Sequence, residues 1–252
     1  MGIYNSSICR VRPLMECLEN NYDAFLSVLS LVGIDSLSEP KNYRYDGVSC
    51  TEKQLKPTKK HLLALINLMA TKQHGKAEIN NQNRLELFFG EPDIRQAACE
   101  RAKAELEAKY DKLTARSRPW YMFEGFTHPD IFIEGDNYVI VCEGKWTEPN
   151  IKTTTTYLSA PGEYRNQMVR RIQGALNYTN KKVYAFYIVD AECKYTKDLS
   201  KESFARQLEL ETIQPDDVEK EKISDAFYGY TTWQAITEKL PQIVFKSKKD
   251  IK

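Results

Sequence analysis

The sequence predicts an α/β protein in which a mixed central sheet lies between helical layers, preceded by a mainly helical extension. Two apolar runs of strand length flank a short turn at 129–145, an amphipathic helical pattern follows, and an aromatic and β-branched run lies at 182–190. A hairpin followed by a helix and a buried strand is typical of layered α/β folds. We therefore expect a helical accessory region over residues 1–80 and the sheet-containing domain over residues 81–252.

Helical signals dominate the first half of the chain. The predicted helices cover residues 21–32, 58 to just before Gly75, a short stretch around 85–88 with Asn81 or Asn83 as its cap, and 92–112. Residues 41–76 carry a local charge of +6. This segment is either a phosphate-facing patch or the solvated face of an accessory helical layer.

The predicted sheet begins with residues 121–126 and continues through the hairpin of strands 129–134 and 138–145. If Asp136 and Asn137 form a two-residue loop, Gly135 pairs with Tyr138. A loop placed one residue earlier leaves the same side chains on the same face, whereas a three-residue loop turns one strand over.

Three charged residues meet at the end of this hairpin opposite its loop. In the two-residue register, Asp130 lies opposite Glu143, and the strand period of two places Lys145 on the same face as Glu143. We therefore expect two carboxylates and a lysine to meet at the end of an otherwise apolar hairpin, with His128 beside them.

These residues resemble the PD-(D/E)xK nuclease superfamily, which includes restriction endonucleases, junction resolvases and repair exonucleases. Asp130 followed by Glu143-Gly144-Lys145 carries the resemblance. The chain is also similar to an uncharacterised bacterial subset with strings like EGFTHPD at 124–130, EGKWTEP at 143–149 and RNQ at 165–167. The resemblance covers roughly residues 83–190 and implies a restriction-endonuclease-like α/β/α sandwich.

The resemblance also implies a metal site. Asp130 and Glu143 would hold Mg²⁺ or Mn²⁺, a hard cation that takes oxygen ligands, and the Gly144 carbonyl would add another ligand. Lys145 would orient the attacking water or stabilise developing negative charge. In this superfamily a glutamate on a preceding helix often joins the metal; Glu86 is the first candidate, with Glu100 and Glu105 as alternatives.

Other polar side chains are expected around this centre. His128 and Gln167 are candidates for contacts just outside the metal ligands. The helix expected from residue 161 to about 178 carries Arg170 and Arg171, and Arg165 lies near its start. The three arginines are candidate nucleic-acid contacts, with a salt-bridged helix surface as the alternative for Arg170 and Arg171.

The resemblance implies metal-dependent hydrolysis of nucleic acid, with DNA expected rather than RNA, in defence, repair or mobile-element processing. One alternative is a catalytically silent module that binds nucleic acid or protein. Another is an unrelated α/β enzyme or interaction protein, in which the hairpin is coincidental and Lys145 and Glu143 form a core salt bridge. A homodimer is left open.

The remaining sequence sets broad limits. A net charge of +1, with 28% charged residues, excludes neither nucleic acids nor small acidic substrates. The six cysteines are widely spaced, and no apolar run reaches the length of a membrane span, so we expect reduced thiols, no membrane and a cytoplasmic location. Threonines 153–156 form a solvated or substrate-contacting loop, and the chain from Ser203 onward is expected to be a helical, acidic cover.

Overall fold

A computed structural model describes residues 7–45, 52–72, 81–146, 152, 163–194 and 196–246. These residues form a five-stranded mixed sheet with strand order β1-β2-β3-β4-β5. The strands are β1 (Asn42–Tyr45), β2 (Ile131–Glu134), β3 (Tyr138–Gly144), β4 (Lys182–Val189) and β5 (Phe227–Thr232). The pairs β1/β2 and β2/β3 are antiparallel, while β3/β4 and β4/β5 are parallel. The predicted α/β class and mixed sheet are confirmed.

The β2–β3 hairpin has the predicted two-residue loop. Glu134 pairs with Val139, and the Gly135 N–H donates to the Tyr138 carbonyl at 3.1 Å. Asp136 and Asn137 are therefore the two loop residues. β3 is buried along its whole length because strands pair with it on both sides and helices cover both faces.

The first strand of the sheet differs from the sequence prediction. Residues 121–126 form no regular strand, and the antiparallel partner of β2 is β1, from the N-terminal part of the chain. Tyr121 and Phe123 are instead buried against a helical cluster. Since β1 belongs to the sheet, the predicted boundary at residue 80 does not separate an accessory region from the sheet domain.

Helices cover both faces of the sheet. One face packs against α1 (Arg12–Leu18), α2 (Tyr22–Ser30) and α9 (Trp233–Lys239), with Phe25 and Trp233 almost fully buried. The other packs against α6 (Gln167–Tyr178), α7 (Lys201–Glu209) and α8 (Asp217–Ala226). The C-terminal part is helical as predicted, except that it also supplies β5, which pairs with β4.

Three further helices form a separate apolar cluster beside the sheet. They are α3 (Lys59–Thr71), α4 (Gln82–Phe89) and α5 (Pro92–Lys109). α5 buries a narrow stripe that includes Ala98, Ala102 and Leu106, so the rest of its surface faces solvent. No helix in the described ranges is both long and apolar enough to span a membrane.

Helix α6 begins later than the sequence indicated. It starts at Gln167 because the Asn166 side chain caps it, accepting hydrogen bonds from the backbone N–H groups of Met168 (2.7 Å) and Val169 (3.2 Å). The expected start at 161–162, the threonine loop 153–156 and the residues after 246 lie outside the described residues.

Candidate functional site

The two carboxylates and the lysine lie where the predicted hairpin register puts them. Asp130 immediately precedes β2, Glu143 lies in β3 and Lys145 follows it. Ile131 pairs with Cys142, so Asp130 and Glu143 continue that register by one residue. All three side chains belong to the face that carries Phe132 and Val141, beneath helix α6.

Glu143 is the most enclosed member of this group, with an exposed fraction of 0%. Three N–H donors hold its carboxylate. Lys145 Nζ lies 3.4 Å and Gln167 Nε2 lies 2.6 Å from Oε2, while Arg171 Nε donates to Oε1. A buried carboxylate requires such donors, because an unpaired charge in the interior is costly. Gln167 therefore contacts the proposed ligand Glu143 directly.

Asp130 has a different environment. Its Oδ2 accepts a hydrogen bond from the Gly144 N–H at 2.8 Å, and no hydrogen bond from a described residue reaches its Oδ1. Burial, followed by the charge of Glu143, raises the pKa of Asp130 to about 8, although Lys145, Arg171 and the Gly144 hydrogen bond oppose the shift. The two neighbouring carboxylates therefore differ in the number of hydrogen-bond donors that hold them.

Arg171 is directed into the protein, contrary to the expectation that it contacts a nucleic-acid backbone. Arg171 as a whole is only 8% exposed. Its guanidinium donates through Nε to Glu143 and through NH1 to Thr127 Oγ1. The reason is that α6 packs on the sheet with the side that carries Arg171 facing β3. Thr127 is itself fixed by two backbone hydrogen bonds of 2.8 Å with Leu55.

A second buried charge cluster accounts for the other two arginines. Glu124, which is 1% exposed, lies 3.1 Å from Arg165 NH2 and 3.0 Å from Arg170 Nε. Arg165 NH1 also lies 2.9 Å from Glu211 Oε2, and His61 Nε2 lies 2.9 Å from Glu124 Oε2. Arg165 is 3% exposed, and its guanidinium is paired inside the protein instead of lying at the surface expected for a nucleic-acid contact. Arg170 is partly exposed but points into the same cluster.

The electrostatics of this cluster follow from burial and pairing. Burial alone would raise the pKa of Glu124, but Arg165, His61 and Arg170 hold it well below the ordinary value. Burial lowers the pKa of His61, and the charge of Arg165 lowers it further. The cluster joins α3 to the segment before Asp130 and to the start of α6. It therefore connects the helical unit formed by α3, α4 and α5 to the strand ends that carry the candidate site.

The helix glutamates make contacts other than the predicted one. Glu86 pairs with Arg101 and accepts from Gln82 at 3.0 Å, while Glu100 lies 3.0 Å from Lys103 Nζ. Glu105 accepts from the Trp120 indole at 3.2 Å. The structure thus engages all three in the helical unit and gives none of them a contact with Asp130 or Glu143.

His128 lies at the edge of the site. Its Nδ1 is 3.9 Å from Glu52 Oε2, and its buried Nε2 has no hydrogen-bond partner among the described residues. Burial lowers the pKa of His128, and the charges of Arg171 and Arg170 act in the same direction. A neutral imidazole with a free nitrogen is able to accept a hydrogen bond or contact a bound group.

Sequence reasoning missed the partners that hold the predicted residues. Thr127, Glu124, His61 and Glu211 are buried polar side chains that bind the site or its neighbouring cluster. Glu124 and Thr127 belong to the string that carried the resemblance, which is a signal that they have a role. Nothing in their local pattern indicated which arginine each would meet.

The oxygen donors near β3 are the carboxylates of Asp130 and Glu143 and the carbonyl of Gly144 between Glu143 and Lys145. Within the described residues, no group of three or more histidine, cysteine, aspartate or glutamate side chains converges as a metal site. No protein-family model matches the chain, and no curated protein and no solved structure is significantly similar to it.

Proposed function

We propose that this protein hydrolyses phosphodiester bonds in nucleic acid with the help of a divalent metal ion, and that DNA is its substrate. The observation that carries the proposal is the arrangement of Asp130, Glu143 and Lys145 on one sheet face, at the carboxyl end of β3. Two carboxylates beside a lysine supply metal ligands and a cation to a phosphoryl group. A role in defence, repair or mobile-element processing is part of this proposal.

The donor set fits Mg²⁺ or Mn²⁺. Asp130 and Glu143 would hold the ion, with the Gly144 carbonyl as a further oxygen ligand. The pKa of Asp130 is raised to about 8 by burial and by Glu143 despite the opposing charges of Lys145 and Arg171, and a divalent cation would favour its charged form. When bound, such an ion lowers the pKa of a bound water and offsets negative charge on the phosphoryl oxygens.

The chain's own residues would orient the reacting groups and stabilise the charge that develops. Lys145 holds its ammonium group 3.4 Å from Glu143 Oε2, so it lies beside the place where the scissile phosphate would sit. There it would orient the attacking water or donate to a phosphoryl oxygen as negative charge develops. Gln167 and Arg171 would keep the Glu143 carboxylate in one orientation, which lessens the rearrangement needed on reaction.

A catalytically silent binding module is the second candidate, and one observation favours it. Glu143 already has three N–H donors, including Lys145 and Arg171, so its charge is compensated without any metal ion. In that case the cluster would stabilise the hairpin, and the protein would bind nucleic acid or a protein partner without cleaving it. Metal binding at Asp130 separates the two candidates.

The test combines thermal unfolding with cleavage. Mg²⁺ and Mn²⁺ should raise the melting temperature of the wild type. At a hundredfold excess over Kd, the gain in the free energy of unfolding should be about 2.7 kcal/mol. Asp130→Asn should remove this shift. Cleavage is then measured on linear, single-stranded and branched DNA and on RNA. Glu86→Gln is the matched control, since Glu86 pairs with Arg101 in the helical unit. No shift and no cleavage in the wild type would rule out the nuclease proposal.

A further inference from the structure

The Glu143 carboxylate has little capacity left for a metal ion. An ionised carboxylate has about four lone-pair sites on its two oxygens. Lys145 and Gln167 take both sites on Oε2, and Arg171 takes one on Oε1. Because the residue is completely buried, the remaining site on Oε1 is the one through which Glu143 can bind a cation.

Asp130 has more freedom. Its described hydrogen bond, from the Gly144 N–H at 2.8 Å, engages Oδ2 alone. Asp130 could therefore adjust to an incoming cation, whereas Glu143 is held in place. The two ligands of the proposed site differ in the number of donors that surround them.

Arg171 is the donor that most restricts Glu143. Its NH1 group binds Thr127 Oγ1 while its Nε binds Glu143, so the planar guanidinium is held at two points. Thr127 is in turn held by backbone hydrogen bonds to Leu55, at 2.8 Å in each direction. A close approach at Gly174 in α6 permits this packing, because a Cβ there would lie 2.8 Å from Leu55 Cβ.

We propose that Arg171 is a positioning residue that limits Glu143 to a single metal-ligand bond, so that the site holds one divalent cation and not two. This inference rests on the proposed function. A second cation bridged by Glu143 would have to displace one of its three donors, and on Oε1, where the first cation would bind, that donor is Arg171. It would also meet the guanidinium charge directly.

The charge balance of the site leads to the same conclusion. Lys145 and Arg171 lie beside Glu143 and offset the two negative charges of ionised Asp130 and Glu143. The first divalent cation adds two positive charges to this balanced group, and one diester phosphate supplies a single negative charge. A second divalent cation would leave a large uncompensated charge in a poorly solvated place.

The experiment counts Mn²⁺ ions bound to the full chain by electron paramagnetic resonance, with Asp130→Asn measuring binding elsewhere on the protein. The wild type should bind one more Mn²⁺ ion per chain than Asp130→Asn, and its spectrum should lack the dipolar broadening of paired Mn²⁺ ions. Arg171→Met should gain a second equivalent and show that broadening, and Arg171→Lys, which restores the charge, should return the count to one. Gln167→Ala frees a site on Oε2 but leaves the guanidinium charge of Arg171 in place, so its count should stay at one.

The outcomes separate this inference from the proposed function. A difference of zero would remove the proposed metal site, and the inference with it. A difference of two in the wild type would overturn the single-ion inference while leaving the nuclease proposal standing. A folded Arg171→Met protein that still binds one ion would show that Arg171 does not limit the site. If Arg171→Met does not fold, the wild-type count and the spectrum of Arg171→Lys decide, and paired ions in either would contradict the proposal.

Discussion

Asp130 and Glu143 face each other one residue beyond the Ile131–Cys142 pair of the β2–β3 hairpin. The charge of Glu143 is the second contribution, after burial, that raises the pKa of Asp130 to about 8. Two residues that neighbouring strands bring opposite each other thus interact as a pair of carboxylates. Binding of a proton or of a metal ion to this pair should therefore change the stability of the protein.

Without metal, the contribution of Asp130 to the free energy of unfolding should fall as pH rises through the range from about 4 to 8. The folded pKa of Asp130 lies above its value of about 4 in an unfolded chain, so in this range the folded state binds the extra proton. Urea unfolding of wild type and Asp130→Asn from pH 5 to 9 checks this. Their difference in stability should change with pH, and it isolates Asp130 from His61, whose lowered pKa acts in the opposite direction. A constant difference would contradict the shifted pKa.

Lys145→Ala should reduce metal-dependent cleavage by about 100-fold or more, because it removes a cation from the place where charge develops. Mn²⁺ binding should persist, since Asp130 and Glu143 both remain. The measurement is single-turnover cleavage together with the Mn²⁺-induced thermal shift. Lys103→Ala is the control, because Lys103 pairs with Glu100 on α5. Equal cleavage by both variants would exclude Lys145 from the mechanism.

Glu124→Gln should destabilise the fold by about 3–5 kcal/mol, because it leaves the buried Arg165 and the partly exposed Arg170 without their shared carboxylate. Glu16→Gln breaks the exposed pair with Arg12 and should cost about 0.5 kcal/mol or less. Denaturant unfolding of the two variants measures the contrast. Similar small losses would mean that the buried cluster adds little to stability.

Gly174→Ala should destabilise the protein by about 1–2 kcal/mol despite the better helix propensity of alanine. The added methyl group would lie 2.8 Å from Leu55 Cβ and 3.2 Å from Thr127 Cγ2, so the segment that holds Arg171 must shift. Gly125→Ala is the matched control, because no atom lies within 4 Å of a Cβ placed there. If the two substitutions have the same effect on the midpoint of urea unfolding, the close approach at α6 is unimportant.

The sequence was most informative where the structure depends on residues that are close together in the chain. Apolar runs and the Asp136-Asn137 loop were enough to predict the register of Asp130, Glu143 and Lys145. The third antiparallel strand was mispredicted, since residues 121–126 have the apolar content of a strand but bury it against helices. β1 is short and only its last residue is buried, so its pattern carries little information about its partner.

The arginines show a different limit of sequence reasoning. Arg165, Arg170 and Arg171 were predicted to contact nucleic acid, but only Arg171 contacts Glu143, because residue type does not reveal the direction of a side chain. Their partners Glu124, Glu143 and Glu211 are distant in sequence, and only the packing of α6 against the sheet brings them together. The same side chains that suggested a surface for phosphate are interior ion pairs.

The pairing of β1 with β2 has a consequence for synthesis of the protein. β1 leaves the ribosome long before β2, because Asn42 pairs with Glu134, and β4 and β5 follow later still. Until then the nascent chain carries an unpaired strand and exposed apolar residues of α1 and α2, which favours association with other chains. The apolar faces of α1 and α2 therefore gain their full cover only after the chain has been made through α9.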